Sequence, residues 1–220
     1  MWNKCRWPVV AGAATQKRVV RMQPGLIGRF AARDSAESEP APRIRMKVIG
    51  LAGWSGAGKT TLLTRLIPYL LKEGLSISVI KHAHHNFDVD VPGKDSWRHR
   101  EAGATEVLVS SERRWALMHE LHEAPELHLF ELLQKLAPVD LVVVEGFKRE
   151  PLPKIEVHRA GNGKPFLFPD DKNIVGIAAD IAVETRLPVA HLDDISAIAK
   201  LMQRAAMPVE EIDTLRAVRG

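Results

Sequence analysis

The sequence predicts an α/β fold, a mostly parallel sheet with helices on both faces, built around a phosphate-binding loop. Three observations carry this. Apolar strand-like runs alternate with segments of helical period; residues 53–60 read GWSGAGKT, matching Gly, four residues, Gly, Lys, Ser/Thr; and an almost wholly apolar run at 139–146 (VDLVVVEG) ends in Glu145 and Gly146. Strands that alternate with helices are covered on both faces, and a strand hidden on both faces loses its polar alternation.

The first strand is 46–52 (MKVIGLA), apolar and partly β-branched, and it runs directly into the glycine-bearing loop. Gly53, Gly56 and Gly58 permit backbone angles that expose successive N–H groups, and the helix that follows turns its positive end to the same point. Lys59 would reach the outer phosphates as a point charge, and the Thr60 hydroxyl would take one position on Mg²⁺. Leu62, Leu63, Leu66, Ile67, Leu70 and Leu71 recur at helical spacing, so the loop joins strand to helix as in P-loop NTPases. A bound nucleoside triphosphate is the consequence. Its use is not, since kinases, hydrolases, switches and assembly factors share the loop.

Pro68 should kink the first helix, and Gly74 ends it. Residues 76–81 (SISVIK) read as a second strand, followed by a polar loop at 82–94 and a short helix to 102 with Asp95 as its cap. Further strands are expected at 105–110 and 115–118, and a helix at 127–136 that Pro138 stops. The strand at 139–146 is central by its composition. A carboxylate at its carboxyl end lies where ligands bind in open α/β sheets, which makes Glu145 the candidate for Mg²⁺ organisation or water positioning. Asp is the commoner residue for that work, so direct coordination by the longer side chain stays open. Later strands fall at 155–158 and 174–179 with a loop at 161–169 between them. A final helix runs from about Asp193, as cap, to Arg204, with Ile195, Ile198, Leu201 and Met202 on one face, and 207–220 reads as peripheral.

At 220 residues the chain suffices for one well-buried domain and is short for two. No apolar run approaches the ~20 residues of a membrane span. Cys5 is the only cysteine, which excludes an internal disulfide framework and fits a reducing compartment; the cytoplasm is the expected location. Residues 1–33 hold seven Lys or Arg and no carboxylate, whereas from Met46 onward 22 Lys plus Arg face 24 Asp plus Glu. The basic character therefore belongs to the front segment and gives no reason to expect nucleic-acid binding by the folded body. Residues 1–45 are read as a disordered extension or an over-extended reading frame before a natural start at Met46, with a secretory signal or transit peptide as minority readings. The nucleotide-binding domain is then 46–205, and 206–220 a tail.

His82, His84, His85, Asp88, Asp90, Asp95 and His99 crowd the loop after the second strand. A zinc or nickel site is one reading, although adjacent His84 and His85 on extended backbone point to opposite sides. A switch-like loop using Lys81, Asp88 and Asp90 near the outer phosphate is another. The favoured reading is a surface for an anionic ligand or a protein partner made by Trp97, Arg98, His99 and Arg100, because Arg reads phosphate through a planar fork and Trp anchors interfaces. A solvated charged face is the plain alternative.

Three blocks in order, GLAGWSGAGKTTLL from Gly50, IKHAHHNFDVDVPGKDSWRHREAGA from Ile80 and LVVVEGFKREPLPKIEV from Leu141, closely resemble the MobB family of molybdopterin-guanine dinucleotide biosynthesis adapters, over 46 to about 204. The resemblance implies a homodimeric GTP-binding protein with at most weak GTPase activity. It implies a partner, the guanylyltransferase that joins GMP to molybdopterin, whose step the family assists; molybdopterin itself is a further candidate ligand. It places the phosphates and Mg²⁺ on Gly53, Ser55, Gly56, Ala57, Gly58, Lys59, Thr60 and Thr61, puts Glu145 and Gly146 in the second nucleotide motif, and matches Lys81, His82 and the stretch from Asp95 through Trp97 and Arg98 to Arg100 to the family's characteristic loop. An Asn-Lys-x-Asp base-reading motif is absent, and Asp180, after the strand ending at Ala179, is the candidate reader of guanine. A small-molecule kinase and a nickel or zinc metallochaperone GTPase are the competing classes.

Overall fold

A computed structural model describes residues 46–83, 87–148 and 150–217. The front segment 1–45 lies outside them, as do His84, His85 and Arg149. The main sheet runs in the order β2-β5-β1-β6-β7-β8, from β1 (Lys47–Ala52), β2 (Ile77–Lys81), β5 (Leu141–Glu145), β6 (Lys154–His158), β7 (Ile174–Ala179) and β8 (Val189–His191). Every one of those pairings is parallel.

Period-two alternation divides the apolar residues between two cores. Ile49 and Leu51 of β1 and Leu141 and Val143 of β5 face α1 (Lys59–Lys72) and α4 (Ile195–Ala205). Val48, Val142 and Val144 face the opposite way, onto Leu129 and Leu133 of α3 (Leu129–Leu133) and Ile212 of α5 (Glu210–Ala217). Helix α1 buries Leu62, Leu63, Leu66 and Leu70 and runs on through Pro68.

Several elements differ from the sequence reading. β3 (Glu106–Ser110) and β4 (Trp115–His119) form a separate antiparallel pair rather than joining the parallel sheet, because a four-residue turn joins them directly. Val107 is buried while Leu108, Val109, Trp115 and Leu117 stay exposed. Asp95 is the first residue of α2 (Asp95–Glu101) rather than its cap; the N-cap position is Lys94. Asp194, not Asp193, caps α4 by accepting from the Ala197 amide at 2.9 Å, and Asp193 pairs with Arg65. The short β8 has no counterpart in the sequence reading. Residues 207–217, expected to be peripheral, are integral: β9 (Met207–Pro208) pairs antiparallel with Lys47 and Val48, and Val209 and Ile212 are buried. On β1, β6 pairs only with Gly50, Leu51 and Ala52, which leaves Lys47 and Val48 at the start of the strand open for β9.

Candidate functional site

The carboxyl ends of β1, β2 and β5 surround one cavity of about 640 Å³. The turn from β1 to α1 supplies Gly53, Ser55, Gly56, Gly58, Lys59, Thr60 and Thr61; the end of β2 supplies Lys81 and, just after it, His82, and the end of β5 supplies Glu145 and, just after it, Gly146. The cavity thus gathers most of the residues singled out in the sequence. Ala57 is buried within the turn, closing it through its amide on the Trp54 carbonyl at 3.1 Å.

Each contributor has a local cause. Gly53 has φ +142°, and a Cβ there would come within 2.5 Å of the Val157 carbonyl of β6, so only glycine lets the turn lie against that strand. Gly58 is the N-cap of α1 with φ 90°, and no side chain caps the helix. The first amides of a 14-residue helix therefore face the cavity with the positive end of its dipole. The register Leu51↔Glu145 and Lys81↔Glu145 sets Glu145 between the ends of β1 and β2. The His82 amide donates to the Glu145 carbonyl at 2.8 Å, and Gly146, with φ +108°, admits His82 where a Cβ would not.

Charge in the cavity favours an anion. The Lys59 ammonium donates to the carbonyls of Gly53 at 2.9 Å and Trp54 at 3.1 Å, and burial pushes its pKa below the usual lysine value. Glu145 opposes that shift, whereas Lys148 and Lys81 reinforce it, so three ammonium groups and one carboxylate act on one another here.

The segment after β6, expected only as a loop, braces the phosphate loop from outside the cavity, a role the sequence reading missed. Asn162 donates to the Ser55 carbonyl at 3.0 Å, and the Trp54 indole N–H donates to the Pro165 carbonyl at 2.8 Å. Buried on β6, Glu156 accepts the amides of Leu167 at 2.7 Å and Phe168 at 2.9 Å; burial pushes its carboxyl above the usual range against those two bonds. His158 stacks on Phe166 with centroids 3.7 Å apart. The only sequence signal was the run of alternating polar residues Lys154, Glu156 and His158 in a strand buried on both faces.

Other predicted residues lie elsewhere. Asp180 follows β7, accepts the Ala160 amide at 2.8 Å and lies 3.9 Å from the Arg159 guanidinium, outside the cavity wall. Arg100 is not the open anion reader expected of it. Its side chain is 13% exposed and is occupied by Glu120 at 2.8 Å, Asp88 at 2.9 Å and Asp90 at 3.3 Å, which raise its pKa further. Asp88 and Asp90 pair with Arg100 here and do not line the cavity. Asp95 and Arg98 are exposed, Trp97 is half-buried, and His82 contacts Glu126 at 2.7 Å. His84 and His85 lie outside the described residues; among those described, no three His, Cys, Asp or Glu are grouped to hold a metal. No helix among the described residues is long and apolar enough to cross a membrane.

A strand, a glycine turn and an uncapped helix N-terminus facing a cationic cavity at the carboxyl edge of a parallel sheet define an α/β protein of the P-loop NTPase type. Residues 48–180 match the family MobB, Molybdopterin guanine dinucleotide synthesis protein B, and the chain belongs to this family. It is 40% identical over 162 residues to the molybdopterin-guanine dinucleotide biosynthesis adapter protein of Escherichia coli (strain K12), covering 72% of this chain and 93% of the relative. The protein of the same name from Haemophilus influenzae is 40% identical over 160 residues, covering 72% and 89%. Among solved structures, molybdopterin-guanine biosynthesis protein B superposes with a TM-score of 0.58 at 26% identity, covering 71% of this chain and 98% of that one.

Proposed function

We propose that this chain is a GTP-binding accessory protein of molybdenum cofactor biosynthesis. It assists the guanylyltransferase that joins GMP to molybdopterin to give molybdopterin guanine dinucleotide, and works in the cytoplasm. The observation that carries the reading is the convergence of the phosphate loop, Lys81 and Glu145 on one cavity in a member of this family.

The donor chemistry fits a triphosphate with Mg²⁺. Lys59 leaves the carbonyls of Gly53 and Trp54 to meet the outer phosphates, and the loop amides and the start of α1 take the remaining oxygens. The Thr60 hydroxyl and Glu145 are the residues that would hold Mg²⁺, and the bound ion supplies charge neutralisation at those phosphates. Hydrolysis is at most slow, and nucleotide occupancy rather than a reaction product is what the partner senses. Exposed Arg98 with Asp95 and Trp97 on α2 supplies a docking surface for that partner, and His82 on the cavity wall is a further contact for it. The exposed apolar face of β3 and β4, with Leu108, Trp115 and Leu117, supports a homodimer.

Retention of the guanylyltransferase on immobilised chain, wild type against Lys59→Ala with GTP and Mg²⁺, tests the reading. Retention by wild type that falls with Lys59→Ala or without nucleotide is expected. No retention under any nucleotide condition defeats the adapter role.

A further inference from the structure

We propose that Arg159 reads phosphate at this site: its guanidinium fork takes nucleotide phosphate oxygens on the β6 side of the loop, and Asp180 holds it in that orientation. The inference rests on the nucleotide-binding reading above and adds a residue that no sequence motif marks.

β6 is the neighbour of β1, so whatever follows β6 emerges beside the phosphate loop. Arg159 is the first residue after that strand, on extended backbone with φ −129° and ψ 120°. Its side chain is 48% exposed and accessible to a ligand. Nη2 and Nε lie 3.5 and 3.6 Å from the position a Cβ would take on Gly58, and they are the only atoms of the group that close. The fork therefore approaches edge-on, with two N–H groups turned toward the N-cap of α1. That edge matches a pair of phosphate oxygens, as the point charge of lysine does not.

The third nitrogen is turned to Asp180. Nη1 lies 3.9 Å from its Oδ2, while Oδ1 accepts the Ala160 amide at 2.8 Å. The carboxylate thus fixes the backbone just after Arg159 and attracts the rear of the guanidinium, leaving the Nε and Nη2 edge free. This arrangement gives Asp180 a positioning role in place of the guanine-reading role expected from its place in the sequence.

The sides of the loop are also distinguished. Glu145 and Lys81 lie toward β5 and β2, which marks the outer phosphate and Mg²⁺ side. β6 lies on the other flank of β1, so a triphosphate laid across the loop brings its inner phosphates to Arg159.

The test titrates the full chain with Mg·GTP, Mg·ATP and inorganic tripolyphosphate, in wild type, Arg159→Ala, Arg159→Lys, Asp180→Asn and Lys59→Ala, and records the ligand-free melting temperature of each. Arg159→Ala is expected to weaken GTP and tripolyphosphate alike, by roughly ten- to hundredfold, the range for a hydrogen bond to a charged group. The preference for GTP over ATP and the ligand-free melting temperature should not move. Arg159→Lys recovers part of the loss, and Asp180→Asn weakens all three ligands by a smaller factor. GTP binding equal to wild type in Arg159→Ala overturns the proposal, as does weakened GTP with unchanged tripolyphosphate, which would mean a contact to ribose or base. If wild type binds while Lys59→Ala does not, and Arg159→Ala is unaffected, only the Arg159 assignment falls. If wild type binds none of the three, the nucleotide-binding reading falls with it.

Discussion

Gly146→Ala puts a methyl group where β2 and β5 leave the sheet. The new Cβ would lie 2.9 Å from both the Cβ and the carbonyl oxygen of His82, atoms that no side-chain rotation can move aside. Two costs add. A Cβ at φ +108° is strained by about 1–2 kcal/mol. Relieving the contact must displace His82, with an overpacking cost of about 1–3 kcal/mol, and weakens its 2.8 Å hydrogen bond to the Glu145 carbonyl, worth about 0.5–1.5 kcal/mol. The sum is about 2.5–6.5 kcal/mol, or roughly 5–25 °C in melting temperature for a domain of this size. Gly74→Ala is the control, since Gly74 has φ +87° with nothing within 4 Å of its Cβ position. It carries the strain alone, about 1–2 kcal/mol. Thermal unfolding by circular dichroism should show Gly146→Ala well below Gly74→Ala, and GTP affinity should fall in Gly146→Ala only. Equal melting temperatures with unchanged affinity would refute the claim that close approach of His82 to Gly146 shapes the cavity.

Ile212→Ala should cost about 2–5 kcal/mol, because Ile212 is 3% exposed in the core beneath α3; chemical denaturation checks it, and a loss below about 1 kcal/mol would return 207–217 to the periphery. Arg100→Ala leaves Asp88, Asp90 and Glu120 without their shared counter-charge, so proteolysis between 87 and 120 should accelerate while GTP affinity holds; lost affinity with unchanged proteolysis would restore Arg100 as a ligand contact. Burial raises the Glu156 carboxyl above its unfolded value, so the folded state binds that proton more tightly. Its contribution is full below the unfolded value of about 4.3 and is lost as pH rises through the folded value. Wild type should therefore lose stability relative to Glu156→Gln as pH climbs from about 4, and a pH-independent difference in melting temperature would reject the shift.

The parallel sheet and its central unit were legible because their signals are local. The glycines at 53, 56 and 58 carry backbone angles that few other residues adopt, and the unbroken apolar run before Glu145 admits little but a doubly covered strand. The β3 and β4 hairpin was misplaced because a short β-branched run looks the same in a parallel sheet and in an isolated pair; the four-residue turn between them was the cue. β8 has three residues, too few for a period, and β9 has two, held by pairing with β1 that no local pattern announces. Of the site, the phosphate loop, Lys81 and Glu145 could be brought together from motif and strand position. Arg159, Asn162 and the contact of Trp54 with Pro165 could not, because they depend on which strand lies beside β1. Arg100 misled because its sequence neighbours are basic, while its partners Asp88 and Glu120 are 12 and 20 residues away.

Calorimetric titration of the full chain with GTP in the presence of Mg²⁺, wild type beside Lys59→Ala, tests the central claim most directly. Saturation at one GTP per chain in wild type, lost in a Lys59→Ala protein with unchanged ligand-free melting temperature, is the predicted result. No binding by wild type, or equal binding by Lys59→Ala, would contradict the assignment of the cavity between β1, β2 and β5 as the nucleotide site.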